Sequence, residues 1–331
     1  MDMVRFERKL DQSFLELLSK DGPLNFIIKD CLEHTDPDAF DIQIREKSNL
    51  MIYHGNTCVM KLHNKNSDST KIEISAHNAY GQAGRKCSAT YKQVMRSWNS
   101  SDLDQVYDLK RLFKNYLATI PASVNARYYK NEGLWANRLC SYFGSRWDKT
   151  KDWLIIDRES VIGFDTAANK SAFAQYKKVY KTIEQTFRAG NPKKWGRPDL
   201  QKSFGDELDM LAIGPNKELI CIELKHGSYT SGIYWGPLQA SVYKDAFEFY
   251  IAELYQGIVD MVKQKTEIGL LPASAKDRIP SNGFSGVQSV LAIAEPNLRS
   301  TCWSKMQEVR SKLKNPIQVV QIDSQFGTAY I

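Results

Sequence analysis

The spacing of apolar residues divides the chain into helical and strand-like stretches. Val4, Phe6, Leu10, Phe14, Leu17 and Leu18 form a helical stripe over residues 3–20, and Asp21-Gly22-Pro23 stops it. A second helical piece covers Leu24 to Leu32. From Phe40 to Ser75 the period shortens to two. FDIQIRE, NLMIYH, TCVMKLH and TKIEIS alternate between polar turns and predict a small antiparallel meander. GQAGRKCS, at Gly81 to Ser88, lacks the glycine spacing of a phosphate loop and reads as an ordinary loop. Leu103, Val106, Leu109, Phe113, Tyr116 and Leu117 then mark a helix over Ser101 to Ile120, with Ser101 as its cap, and Pro121-Ala122-Ser123 ends it.

Beyond that point helices and apolar strands intermix. Arg127 to Phe143 is helical, with Trp135, Leu139 and Tyr142 inward. Trp153–Ile156 and Val161–Phe164 read as two strands around Asp157-Arg158-Glu159. Lys170 to Arg188 is amphipathic, and NPKKWGRPDL follows as a basic, aromatic loop. Glu207–Ile213 and Leu219–Lys225 are apolar strands joined by Gly214-Pro215-Asn216. HGSYTSGIYWG reads as a loop, and Pro237 as the first residue of a long helix to about Lys263. After a mostly loop-like stretch come a strand at Val287–Ile293, a helix at Arg299–Leu313 and a last strand at Ile317–Ile322. The expected class is α/β. An α+β domain of residues 1–122 with the meander precedes a domain of residues 123–331 in which helices flank a mixed central sheet.

Composition fits a globular chain, with 42% hydrophobic and 25% charged residues. The six cysteines are scattered without a CxxC pair, which argues against a zinc ribbon or disulfide scaffold and suits a reducing, cytoplasmic setting. The N-terminus lacks the apolar core of a secretory signal, and no apolar run approaches the ~20 residues of a membrane helix. His34, His54, His63 and His77 make no metal-ligand spacing.

Charge changes the picture more. The net charge is +7, from 45 basic and 38 acidic residues. Residues 170–202 alone hold Lys170, Lys177, Lys178, Lys181, Arg188, Lys193, Lys194, Arg197 and Lys202 against Glu184 and Asp199, an excess equal to that of the whole chain. This field suits a polyanion, with Lys177, Lys181, Lys193, Lys194 and Arg197 as candidate nucleic-acid contacts, although charge runs are commonly solvated helix faces.

The apolar strand pair carries three charges that need an explanation: Asp209, Glu223 and Lys225. Glu223 and Lys225 project from one face of their strand. Burying such groups costs several kcal/mol unless they are paired, hydrated or bound to metal. Two carboxylates at one point repel unless a cation lies between them. A hard divalent cation, Mg²⁺ or Mn²⁺, meets that need with Asp209, Glu223 and the Leu224 carbonyl as ligands. Lys225 then lies where it can orient or activate an attacking water. Glu132, on the helix near Trp135, is either a solvated acid or a further member of the acid cluster. Gln239 and Tyr243, at i and i+4, share a helix face.

In order along the chain, Glu132, Asp209, Glu223-Leu224-Lys225 and Gln239-Ala-Ser-Val-Tyr243 resemble the motifs of the PD-(D/E)XK nuclease superfamily. The QxxxY piece is similar to that of its exonuclease branch. The resemblance covers roughly residues 127–323 and implies a restriction-endonuclease-like core. It implies metal binding by Asp209 and Glu223 with Glu132 completing the acid set, a water-directing role for Lys225, and positioning of the site or DNA backbone by Gln239 and Tyr243. Asp199, in the literal Pro198-Asp199 dipeptide, competes with Asp209 for the motif aspartate, and Glu207 shares a face with Asp209. The implied activity is Mg²⁺-dependent phosphodiester hydrolysis, with DNA the favoured partner and no membrane. A bacterial defence or restriction-type role follows only by fold-level analogy. The alternative is a nucleic-acid-binding protein that retains the fold without cleavage. Substrate recognition, homodimer formation and partner binding are the roles open to residues 1–122. No GxSxG, HExxH or dinucleotide-binding glycine pattern supports another hydrolase or a dehydrogenase.

Overall fold

Alternation in the sequence is matched by strand pairing in both halves of the chain. The computed structural model describes residues 4–64, 70–82, 85–123, 131–196, 207–315 and 317–330. Along them, β1 (Val4–Arg5), α1 (Gln12–Leu18) and α2 (Asn25–Leu32) precede β2 (Asp41–Arg45), β3 (Asn49–His54), β4 (Thr57–Asn64) and β5 (Lys71–Ser75). Next come α3 (Asn78–Gly81), α4 (Arg85–Val94), β6 (Ser97–Asn99), α5 (Leu103–Ser123) and α6 (Glu132–Cys140), which continues into a π-helical turn at Ser141–Ser145. β7 (Leu154–Ser160), β8 (Gly163–Phe164), α7 (Ala167–Gly190) and α8 (Pro192–Trp195) follow. Then come β9 (Leu208–Ile213), β10 (Leu219–His226), α9 (Thr230–Phe249) and α10 (Ile251–Glu267). A 3-10 turn at Ala273–Arg278 leads to β11 (Val287–Ala294), α11 (Cys302–Arg310), β12 (Gln318–Ile322) and β13 (Thr328–Tyr330).

Contacts group the chain into two units that interleave in sequence. One contains Glu7–Ile156 and Gly257–Ile279; the other contains Met1–Phe6, Asp157–Gln256 and Pro280–Ile331. This grouping differs from a division at residue 122, because residues after α5 and the end of α10 stay with the meander.

In the meander unit the sheet order is β2-β3-β4-β5-β6, antiparallel throughout. Register aligns Ile44, Leu50, Leu62 and Ile74 in one cross-strand column, each almost wholly buried. Phe14, Leu18, Ile27, Phe113 and Ile120 from the helices close that face, and Ile268 and Leu270 join the same core. Tyr116 crosses it, its hydroxyl donating to the Val59 carbonyl at 2.9 Å. Several expectations change here. The first stripe is not one helix, for Val4–Arg5 form a strand and α1 begins only at Gln12. Of the GQAGRKCS stretch, Gly81 ends α3 and Arg85–Ser88 open α4 rather than forming a loop, and Ala83-Gly84 lie outside the described residues. Asp102 rather than Ser101 caps α5, accepting from the Asp104 and Gln105 amides at 3.1 and 3.2 Å.

The other unit is built on a mixed sheet of order β13-β12-β11-β10-β9-β7, of which only Leu154–Ile156 at the start of β7 are grouped with the meander unit. β10 pairs antiparallel with β9 and parallel with β11; β11 pairs parallel with β12, and β12 antiparallel with β13. The strands are apolar on both faces because helices cover them. α9 and α11 pack on the face bearing Leu291, Ile293 and Val319. β1 pairs with β8 in a separate two-stranded sheet. Asp157-Arg158-Glu159 does not separate two strands. It lies within β7, with Asp157 fully buried and accepting from Ser160 Oγ at 2.8 Å. The helix after β10 starts at Thr230, not Pro237, which lies inside it.

Candidate active site

The β9–β10 hairpin brings the candidate residues together by simple register. Backbone pairing runs from Leu219↔Ile213 to Ile222↔Met210. One step beyond that ladder, the Asp209 carboxylate takes over as acceptor: its Oδ2 receives the Leu224 amide at 2.8 Å. A side chain thus replaces a backbone carbonyl at the mouth of the hairpin. Glu223 and Lys225 point from β10 toward the face covered by α9, since Glu223 aligns with Leu291 and Lys225 with Ile293.

The Lys225 ammonium is the centre of the cluster. Its Nζ donates to Glu223 Oε1 at 2.5 Å and to the Leu224 carbonyl at 2.7 Å, and it lies 3.5 Å from Asp209 Oδ2. Glu223 is fully buried and the Lys225 side chain 8% exposed, whereas the Asp209 side chain is 30% exposed. The cluster is therefore a buried ion pair with one solvent-facing carboxylate. Removing one member of such a pair leaves an uncompensated charge and costs about 3–5 kcal/mol. The three oxygens expected to serve as ligands all lie within 3.5 Å of one cationic nitrogen. That convergence of hard oxygen donors fits a divalent cation. Among the described residues, no group of three or more His, Cys, Asp or Glu side chains is arranged to hold a metal. The fit thus rests on two carboxylates and a backbone carbonyl.

α9 braces the pair. Tyr243 is buried, and its hydroxyl donates to the Glu207 carbonyl at 2.5 Å, fixing the entry to β9. Burial, with the Glu223 and Asp209 carboxylates behind it, pushes the Tyr243 phenol well above its usual range, while a hydrogen bond with Gln239 opposes that shift. Tyr243 therefore stays a protonated donor. The Glu207 side chain is exposed, so that residue contributes its carbonyl rather than its carboxylate to this arrangement. Gly232, one helical turn from the start of α9, packs against the lysine stem: a Cβ there would lie 2.8 Å from Lys225 Cδ and would overlap the Tyr229 ring. Gly232 and Tyr229 were hidden in a stretch that reads as loop. The only signal was the glycine spacing of Gly232-Ile-Tyr-Trp-Gly236, which lets a helix approach a strand closely; a Cβ at Gly236 would press on Leu291.

Glu132 opens α6 in the meander unit and is half-buried there. Arg197 and Asp199 lie outside the described residues. The basic segment is partly neutralised within its own unit. Buried Glu184 receives Lys181 at 3.0 Å and Arg188 at 2.8 Å, and Lys194 pairs with Glu308. Burial, reinforced by Lys170, lowers the Lys177 pKa. Lys193 is exposed. Trp195, Phe187, Tyr234 and Trp235 stack into an aromatic cluster behind these cations, with Arg188 over Trp235 at 5.0 Å and Lys305 over Tyr234 at 5.0 Å. All six cysteines are free, and burial raises the Cys31 and Cys221 thiols far above their ordinary range, which makes both poor nucleophiles. No helix among the described residues is long and apolar enough to cross a membrane.

Comparison with protein-family models, with curated proteins and with solved structures yields no match for this chain.

Proposed function

We propose that this chain is a metal-dependent nuclease of the PD-(D/E)XK type that hydrolyses phosphodiester bonds in DNA. The observation that carries the reading is the convergence of Asp209, Glu223 and the Leu224 carbonyl on one cationic point at the mouth of the β9–β10 hairpin. In this reading Asp209, Glu223 and the Leu224 carbonyl hold Mg²⁺ or Mn²⁺, and Glu132 belongs to the acid set by resemblance. When bound there, a hard divalent cation supplies polarisation of a phosphoryl oxygen and a lower pKa for a water. Lys225 orients the attacking water and offsets charge developing on the phosphoryl group. Tyr243 and Gln239 hold β9 and thereby the Asp209 carboxylate in place. The mixed sheet flanked by helices supports a restriction-endonuclease-like core, and exposed Lys193, with Lys177, Lys181, Lys194 and Arg197 in the same basic segment, supports an approach path for DNA.

A cleavage panel of linear, circular and single-stranded DNA and of RNA, with Mg²⁺, with Mn²⁺ and with chelator, tests this. The expected result is metal-dependent cleavage of DNA, abolished by chelator and by Asp209→Ala. Intact substrates under every condition would overturn it. The second reading, a nucleic-acid-binding protein without cleavage, draws on the lack of a three-residue metal group among the described residues. It expects salt-sensitive DNA binding without cleavage, unchanged by Lys225→Ala.

A further inference from the structure

We infer that Lys225 is a built-in competitor for the divalent cation: its ammonium and the metal exclude each other, so metal binding must expel the lysine from between its oxygens. This rests on the nuclease reading for the identity of the ligands, but its own basis is geometric. Lys225 Nζ is 2.5 Å from Glu223 Oε1 and 2.7 Å from the Leu224 carbonyl oxygen, with Asp209 Oδ2 at 3.5 Å. Magnesium needs oxygens at about 2.0–2.1 Å. A cation bound to the same oxygens would overlap the ammonium and repel it. Glu223 is fully buried with the ammonium on its Oε1, so a cation that takes the same oxygen displaces the lysine.

The surroundings give the lysine a way out. Its stem packs tightly against Gly232, where Lys225 Cδ and the Tyr229 ring fill the place a Cβ would take, so the stem leaves when the Tyr229 ring, 53% exposed, swings aside. With that ring displaced, a turn of the stem toward Tyr229 carries the ammonium out from between the carboxylates. The lysine thus has two positions. In one it fills the cation place and keeps the site inactive; in the other it is free to serve the water. Metal selects the second, which links metal loading to placement of the catalytic amine.

Two measurements test the inference. In the first, wild-type protein is treated with formaldehyde and borane in Mn²⁺, in Mg²⁺, or in Na⁺ at matched ionic strength, and methylation of Lys225 is read by peptide mass spectrometry. Divalent cation is expected to raise Lys225 labelling several-fold over Na⁺, while the lysines of the meander unit stay constant. Unchanged or reduced labelling would overturn the proposal. In the second, calorimetry compares Mn²⁺ affinity of the wild type and of Lys225→Met, after circular dichroism has shown that the variant is folded. At least about fivefold tighter binding by the variant is expected, the lower end of ordinary coupling between two ligands. Equal or weaker binding would contradict it, as would a lack of Mn²⁺ binding by both proteins. If Lys225→Met does not fold, the wild-type labelling decides. The nuclease reading fails separately: expulsion of Lys225 by metal with no DNA cut leaves the competition standing and removes the activity, whereas metal-dependent cutting with unchanged labelling does the reverse.

Discussion

Each unit of this protein buries a lysine, and the two lysines serve different ends. Lys225, in the mixed-sheet unit, faces Glu223 and Asp209 at the open end of a hairpin, where one carboxylate still meets solvent. Lys265, in the meander unit, is 2% exposed; its ammonium donates to Gln43 Oε1 at 2.5 Å and to the Ile156 carbonyl at 2.6 Å, at the end of α10. Gln43 in turn donates to both Asp41 carboxylate oxygens, at 2.9 and 3.0 Å. Lys265 therefore ties a helix end to two strands. Burial of a charged side chain does not by itself mark chemistry. The partner atoms and their access to water make the difference, and of the two surroundings the β9–β10 hairpin combines converging carboxylates with an open side.

The sharpest way to break this contrast is to remove each ammonium in turn. Lys225→Ala is expected to lower cleavage by at least about a hundredfold, the scale of a lost electrostatic group at a reacting centre. Lys265→Met is expected to leave cleavage per folded molecule intact while lowering unfolding free energy by about 3 kcal/mol, because two buried acceptors lose their donor. Chemical denaturation and a DNA cleavage assay on both variants read the two effects. A Lys265→Met protein that is stable but inactive would reverse the assignment.

Acid sharpens the comparison next. Burial depresses His54 in the meander unit to about 4; neighbouring Asp36 opposes the shift and His34 adds to it. An unfolded histidine titrates near 6.5, so between those values the unfolded chain binds the proton that the native one refuses. The contribution of neutral His54 is fully present above pH 6.5 and is lost as pH falls toward about 4, a loss of about 3 kcal/mol by the same linkage. Unfolding titrations from pH 7 to 4 should show the slope, and His54→Gln should flatten it. An unchanged slope in the variant would remove His54 as its source.

The smallest effect comes from a matched pair of tyrosines. Tyr116 donates to Val59 in the meander unit and Tyr243 to Glu207 beside the hairpin. Replacing either with Phe is expected to cost about 1 kcal/mol of stability. Only Tyr243→Phe should also reduce cleavage, by about tenfold, because it loosens the strand that carries Asp209. Equal cleavage by the two variants would mean that Tyr243 is only structural.

Much of the candidate site was legible in the sequence because its chemistry is local. Asp209 lies on an apolar strand, Glu223-Leu224-Lys225 on the next, and a short turn joins them, so register alone predicts their meeting. The meander was legible for the same reason, from alternation at Ile42, Ile44, Leu50 and Ile52. What stayed hidden depends on partners distant in sequence. Val4–Arg5 become a strand only by pairing with Phe164 and Gly163. Asp157 and Arg158 read as a break between two strands because charged residues are rare inside strands, yet β7 runs through them and buries both. The first turns of α9 look like a glycine-rich loop; their helix exists because Gly232 and Gly236 let it settle on Lys225 and Leu291. The return of Ile268 and Leu270 to the meander core has no signature along the chain.

The central claim, that the hairpin cluster is a metal-dependent hydrolytic site, is tested most directly by one assay. Wild type, Asp209→Asn and Lys265→Met, each confirmed folded, are incubated with linear DNA in Mn²⁺ and in chelator. The account predicts cleavage by wild type and Lys265→Met in Mn²⁺ alone, and none by Asp209→Asn. Cleavage by Asp209→Asn at the wild-type rate, or cleavage by the wild type in chelator, would contradict it.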